Sequence, residues 1–266
     1  MRVQIERVDD PRLADFRDVR DAELVKRRGV FIAEGTLVVR RLLQPGARFP
    51  VRSVLLSQRR AEALGEVLDA LDPSVPVCVA PQEVMDDVVG FPIHRGVLAS
   101  GSVEPTRRAE VTADGPRTLL VLEGLANHDN VGGAFRNAAA LGAGMVLLDP
   151  TCADPLYRKA IRVSIGTTLT VPWRRLPDWP EGLGALRAAG YTIVALSPRG
   201  DAAEVSRYSR PAKVALLIGT EGRGLSEAAL DAADVRVKIP MAEGVDSLNA
   251  ATAAAVALHA LNHAGA

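Results

Sequence analysis

The stretch KVALLIGTEGRGLS, residues 213–226, sets five apolar residues in a row, Val214 to Ile218, ahead of a loop that holds Gly219, Gly222 and Gly224. Ser226 then opens the helical-looking SEAALDAAD. An unbroken apolar run of this length ended by glycine reads as a strand buried on both faces, and the helix after it completes a strand–loop–helix unit. Open α/β sheets collect ligands at the carboxyl ends of their strands, where this loop lies. Two phosphate-binding readings fail on the letters. Lys-Ser or Lys-Thr does not follow the second glycine, as a P-loop requires, and no third glycine stands in register for a dinucleotide fingerprint. Two readings stay open: a loop whose glycines let backbone approach a ligand closely, with Glu221 as its only acid, or a tight turn that caps the next helix through Ser226.

Working outward, the same alternation continues on both sides. Upstream come strand TLLVLEGL, helix NVGGAFRNAAALGA, strand GMVLLD, helix PLYRKAIRV, strand TLTVPW, helix GLGALRAAG and strand YTIVALS; downstream come strand VRVKIP and a closing helix SLNAATAAAVALHALNH. Such βα alternation predicts an α/β domain with a mainly parallel sheet covered on both faces. The first hundred residues form a second, smaller α/β series. ADFRDVRDAELVKRRG has helical spacing and a glycine stop, FIAEGTLVVRRLLQPG runs from strand to helix, and VRSVLLS, VPVCVA and HRGVLASG read as short buried strands. Between them SVEPTRRAEVTADGP is polar, with two prolines and no apolar period. The predicted organisation is therefore an N-terminal domain over 1–101, a linker over 102–116 and a C-terminal domain over 117–266.

Composition narrows the function. The chain has 266 residues, 48% hydrophobic but only 4% aromatic, which suits a large packed core and argues against a surface that grips bases with many rings. The formal net charge is zero, so the whole chain gives no electrostatic warrant for a polyanionic partner. Its distribution says more: residues 1–60 carry 14 Lys/Arg against 8 Asp/Glu, and the following segment to Glu104 is acidic. A basic face near the N-terminus, or a merely solvated one, fits that pattern. Cys78 and Cys152 stand far apart with no metal-ligand pattern, so buried free thiols and no metal are expected. The charged start MRVQIERVDD and the absence of a long apolar run predict a cytoplasmic protein without a signal peptide or membrane span.

Two further loops carry chemistry. In ANHDNVGGAFRNAAALGA, residues 126–143, Asn130 is placed to cap a helix and Arg136 lies on an otherwise small, apolar helix. A lone guanidinium there must reach water, a carboxylate or a phosphate, and a helix N-terminus also favours an anion. In IPMAEGVDSLNAATAAAVAL, residues 239–258, Pro240 stops a strand, Ser247 looks like an N-cap and Asn249 sits in the first turn of an alanine-rich helix. Tight helix packing explains the alanines; Ser247 and Asn249 are also placed to hydrogen-bond a substrate.

Taken in order, N-x-x-N-x-G-x-x-x-R-x-A, G-x-E-G-x-G-L-S and I-P-M-x-x-x-x-x-S-L-N resemble the motif set of the SpoU-type, TrmH-like RNA ribose 2′-O-methyltransferases of the SPOUT class. RRGVFIAEGTLVVRRLL with HRGVLASG resembles the substrate-binding domain of the two-domain branch, similar to a small ribosomal-protein fold. The resemblance implies a C-terminal domain with a deep trefoil knot, S-adenosylmethionine bound within it, and a homodimer in which both subunits build each site. It implies catalytic or substrate-ordering roles for Arg136, Asn130, Glu221, Ser247 and Asn249. Cofactor contacts fall to Leu196, Ser197, Gly219, Thr220, Glu221, Gly222, Ile239, Met241, Ser247 and Leu248. RNA phosphates fall to Arg20, Lys26, Arg27, Arg28 and Arg136. Some tRNA-specific relatives carry a basic tail beyond the last helix where this sequence ends LNHAGA, so ribosomal RNA is the expected substrate, with tRNA or a non-catalytic RNA-binding role as alternatives.

Overall fold

The computed structural model describes residues 2–17, 24–45, 47–106, 109–199 and 202–263. Their strands form two sheets, one in each of two compact units: residues 1–107 with 156–170, and residues 108–155 with 171–266.

In the first unit, β1 (Arg2–Gln4), β2 (Val30–Glu34), β3 (Val51–Leu56), β4 (Val77–Val79) and β5 (Val97–Ser102) form a sheet of order β1-β4-β3-β5-β2. The β1-β4 and β4-β3 pairs are parallel and the pairs made by β5 antiparallel, so this sheet is mixed. Around it lie α1 (Leu24–Arg28), α2 (Thr36–Leu42), α3 (Gln58–Ala63), α4 (Gly65–Asp69) and α5 (Gln82–Val89). Ile5, Leu13, Phe16, Ile32, Leu55, Met85 and Leu98 pack one continuous core. Gly29, at φ +61, ends α1 as a glycine C-cap, its N–H reaching Val25 O.

In the second unit, β6 (Thr118–Leu122), β7 (Met145–Leu148), β8 (Trp173–Arg175), β9 (Thr192–Leu196), β10 (Ala203–Glu204), β11 (Val214–Ile218) and β12 (Val235–Lys238) take the order β10-β12-β9-β11-β6-β7-β8, every pair parallel. The apolar runs explain why. Along β6, Leu120 and Leu122 join the core on one face of the sheet, and Leu119 and Val121 join the core on the other. A strand apolar on both sides is stable only with helices over both. The first face is covered by α6 (His128–Leu141) and α10 (Ala250–His263), the second by α8 (Leu183–Ala188) and α9 (Glu227–Asp231). Ala254, Ala257, Leu258 and Leu261 turn one stripe of α10 into this core, and a Cβ on Gly133 of α6 would lie 2.8 Å from that of Ala251. The alanines are there for close helix approach.

Two expectations need correction. The run TLTVPW is not a strand: Thr167–Leu169 is a 3₁₀ turn and β8 begins only at Trp173. Thr170 Oγ1 donates to Thr167 O at 3.3 Å, so a hydroxyl that looked like β-branched strand chemistry instead ties the chain back onto the 3₁₀ turn. The preceding helix, α7 (Arg158–Val163), belongs with residues 156–170 in the first unit rather than in a continuous domain from 117 on. Its attachment is specific. Arg158 makes two hydrogen bonds to Glu34 Oε2, at 3.0 and 2.6 Å, and lies over the Phe91 ring, while Arg41 Nη1 donates to Ile165 O at 2.7 Å. The boundary at 107/108 falls inside the stretch read as linker.

Candidate functional site

The loops after β9, β11 and β12 converge on a cleft at the carboxyl end of the second sheet. It encloses about 740 Å³ of empty space, part of it open to solvent. Leu196, Ser197, Gly219, Thr220, Glu221, Gly222, Ile239, Met241, Ser247 and Leu248, named from the sequence, all line it. Its walls pair apolar side chains, Leu196, Ile218, Ile239, Met241 and Leu248, with the exposed backbone of the glycine loop.

That loop is tight because its glycines allow it. Gly222 and Gly224 have φ of +79 and +72, the left-handed region where a side chain is strained. A Cβ on Gly219 would stand 2.2 Å from Gly224 C and 2.3 Å from Leu225 N, so backbone packs directly on backbone. Thr220 and Gly224 form a β-bridge across the turn. Ser226 Oγ accepts from Ala229 N at 3.1 Å and caps α9. The two readings of the stretch therefore hold together: it caps a helix and lines a cleft.

A hydrogen-bonded trio closes one side. Asn249 Nδ2 donates to Asn130 Oδ1 at 2.8 Å and to Glu221 Oε1 at 2.6 Å. Its Oδ1 accepts from Thr252 N at 3.1 Å, capping α10. One amide thus joins the glycine loop, the start of α10 and the buried face of α6. Here two expected caps are corrected. Asn127, not Asn130, caps α6, accepting from Asp129 N at 2.8 Å; Asn130 lies inside the first turn, 7% exposed. Asn249, not Ser247, caps α10, and Ser247 stays in the exposed loop at the cleft.

Arg136 is exposed on α6, six residues beyond Asn130 and so about 9 Å further along the axis. It pairs with no carboxylate among the described residues, so its guanidinium is available to an incoming anion. Lys26, Arg27 and Arg28 occupy the exposed last turn of α1, in the first unit, and Arg28 Nη1 donates to Ala14 O at 3.2 Å. Arg20 lies outside the described residues. Among the cleft residues that went unremarked in the sequence, Arg199 has the most specific contacts. Arg199 pairs with Glu227 at 2.8 Å and donates to Arg223 O at 2.9 Å, strapping the loop after β9 to the glycine loop. Only its place in ALSPRG, at a strand end, hinted at it.

Cys152 is buried and inert. Burial, reinforced by Asp149, pushes its thiol well above the usual range, and its Sγ donates to Leu122 O and accepts from Leu125 N. Cys78 is likewise buried and free. Among the described residues no three His, Cys, Asp or Glu side chains converge on a point, and no helix is long and apolar enough to cross a membrane.

Known proteins share this arrangement. An uncharacterized tRNA/rRNA methyltransferase of Mycobacterium tuberculosis is 42% identical over 264 residues, covering 97% of this chain and 90% of that protein. The SpoU methyltransferase AviRb from Streptomyces viridochromogenes, solved with the cofactor AdoMet, superposes with a TM-score of 0.80 at 26% identity over 95% of this chain and 97% of that one. An RNA 2′-O ribose methyltransferase superposes with a TM-score of 0.78 at 25% identity over 98% of this chain and 99% of that one. The model of the SpoU rRNA Methylase family matches residues 117–259, a span that contains Asn130, Arg136, the glycine loop and Asn249. With its cleft-forming half matched by the family model and nearly its full length aligned to a relative, the chain belongs to the SpoU rRNA methylase family.

Proposed function

We propose that this protein methylates a ribose 2′-hydroxyl of RNA, with S-adenosylmethionine held in the cleft of the second unit. The observation that carries the reading is the Asn249 amide, which ties the loop lining the cleft to the helix bearing Arg136. The cleft fits the cofactor: its apolar walls suit an adenine ring, and the exposed peptide groups of the glycine loop suit its polar atoms. When bound there, S-adenosylmethionine would supply a methyl group on a sulfonium, an electrophilic carbon for the ribose oxygen.

The chain's own part is alignment. Arg136 binds a phosphate beside the target ribose and holds the hydroxyl in line, acting by its fixed charge and its geometry. Asn130, Asn249 and Glu221 fix the helix and the loop relative to each other, and Ser247, exposed at the cleft, hydrogen-bonds cofactor or substrate. Lys26, Arg27, Arg28 and Arg20 are assigned to phosphate contacts that select the RNA. The name of the family model supports ribosomal RNA as the substrate. The motif resemblance is the ground for including in this reading a trefoil knot, a homodimer through the C-terminal domain, and RNA binding by residues 1–101.

The test is Arg136→Ala. Methyl transfer from labelled S-adenosylmethionine to unmodified ribosomal RNA is expected to fall by at least about a hundredfold, the scale of losing a positioning group. Calorimetric affinity for the cofactor should stay within about twofold. Loss of cofactor binding instead would misplace Arg136; label entering only tRNA would replace the substrate; cofactor binding without transfer by the unaltered protein to either RNA would favour a non-catalytic RNA-binding role.

A further inference from the structure

We propose that Glu123 is a positioning residue for the cleft, setting both ends of the glycine loop; the inference rests on reading the cleft as the S-adenosylmethionine site. Glu123 directly follows β6 and is 8% exposed. Its backbone N–H donates to Ile218 O at 2.9 Å, where the loop leaves β11. Its side chain holds the other end: Oε2 accepts from Ser226 N at 2.9 Å, and Oε1 accepts from Ser226 Oγ at 2.6 Å. Trp179 Nε1 donates to the same Oε1 at 2.6 Å. One residue thus fixes the points where an eight-residue turn, Gly219 to Ser226, departs from and returns to the sheet.

A buried carboxylate is costly unless its charge is met. No cation pairs with Glu123 among the described residues; three neutral donors meet it instead, and two of them belong to Ser226. That is an expensive way to hold a surface turn. It is a sound way to hold a turn whose backbone must present itself in one geometry, because charge-assisted hydrogen bonds are shorter and stronger than neutral ones. Glu123 does not line the cleft. Its influence passes through the loop, so it should govern how tightly the cofactor is held and not the chemical step.

Glu123→Gln is nearly isosteric and separates these roles. An amide oxygen can accept from Ser226 Oγ and Trp179, but its NH₂ then faces the Ser226 N–H, donor against donor. The dissociation constant for S-adenosylmethionine, by calorimetry on the full chain, is expected to rise about tenfold, the scale of one lost charge-assisted hydrogen bond. The kcat at saturating cofactor should stay within about threefold. Trp179→Phe keeps the ring and removes one donor, so a smaller rise of about threefold is expected; it carries the test if the glutamine variant does not fold. Unchanged cofactor affinity in a folded variant, or a fall in kcat with unchanged affinity, would overturn the assignment while the cleft reading stands. Failure of the unaltered protein to bind S-adenosylmethionine would overturn both.

Discussion

Asn249 does two jobs with one amide, and a substitution can separate them. Asp at this position keeps an oxygen to cap α10, a role in which Asp and Asn are near equals. It loses the Nδ2 donor and sets a carboxylate against Glu221 Oε1 and Asn130 Oδ1. Asn249→Asp is therefore expected to retain its helix content by circular dichroism while methyl transfer falls about tenfold or more, the cost of one lost donor plus repulsion. Asn249→Ala should lose the cap as well and fall by about 1–2 kcal/mol in unfolding free energy. Equal stability of the Asp and Ala variants would mean that the amide contributes through the trio alone. That the three loops carry function was legible in the sequence because strand ends in a parallel sheet converge on one edge; which of their residues belong to the site came from the resemblance of their motifs to a known family. The caps were not. Which asparagine or serine caps a helix depends on where the first turn closes; Asn127 and Asn130 are chemically equivalent in the letters, and only the pairing of Asn130 with Asn249, 119 residues away, distinguishes them.

At the scale of elements, α6 and α10 hold the site because they approach closely. Gly133 meets Ala251 with no room for a methyl group, and Asn137 Nδ2 donates to Ala251 O at 2.7 Å beside that contact. Gly133→Ala must push the helices apart, at a cost of about 1–3 kcal/mol. Since both helices carry members of the trio, activity should fall with stability. Ala251→Gly removes the opposing methyl, so the double variant should recover most of the loss, and a double-mutant cycle by urea unfolding measures the coupling. Additive effects would show that the contact is not what sets the spacing. The alanine-rich composition of α10 announced close packing, but its partner was not readable, because a helix pattern shows that a face is small and never which neighbour it faces. The misread strand at 168–173 failed for a related reason. Thr and Val in a row favour extended backbone, whereas Ser164, Thr167 and Thr170 satisfy their hydroxyls on nearby carbonyls, a competing local bond that composition does not reveal.

For the whole molecule, the placement of residues 156–170 decides what a truncation does. A chain cut to 109–266 keeps this segment but loses the residues it packs with. Leu156, Ala160, Ile161 and Leu169, all buried in the intact protein, would face water, and Arg158 would lose the Glu34 carboxylate to which it makes two hydrogen bonds. Exposing apolar area at about 25 cal/mol per Å² favours self-association and weakens the fold. The fragment is expected to bind an apolar dye that the intact protein does not, and to melt below it. The cleft, in contrast, is lined wholly by residues of the second unit. Calorimetric affinity for S-adenosylmethionine should therefore persist in the fragment, within about threefold, while transfer to RNA falls with the loss of Lys26, Arg27 and Arg28. Changing the four exposed apolar residues to polar ones should abolish dye binding without restoring RNA methylation. A cooperatively folded fragment that no longer binds the cofactor would mean that the first unit shapes the cleft; a fragment that methylates RNA as well as the full chain would remove residues 1–107 from substrate recognition.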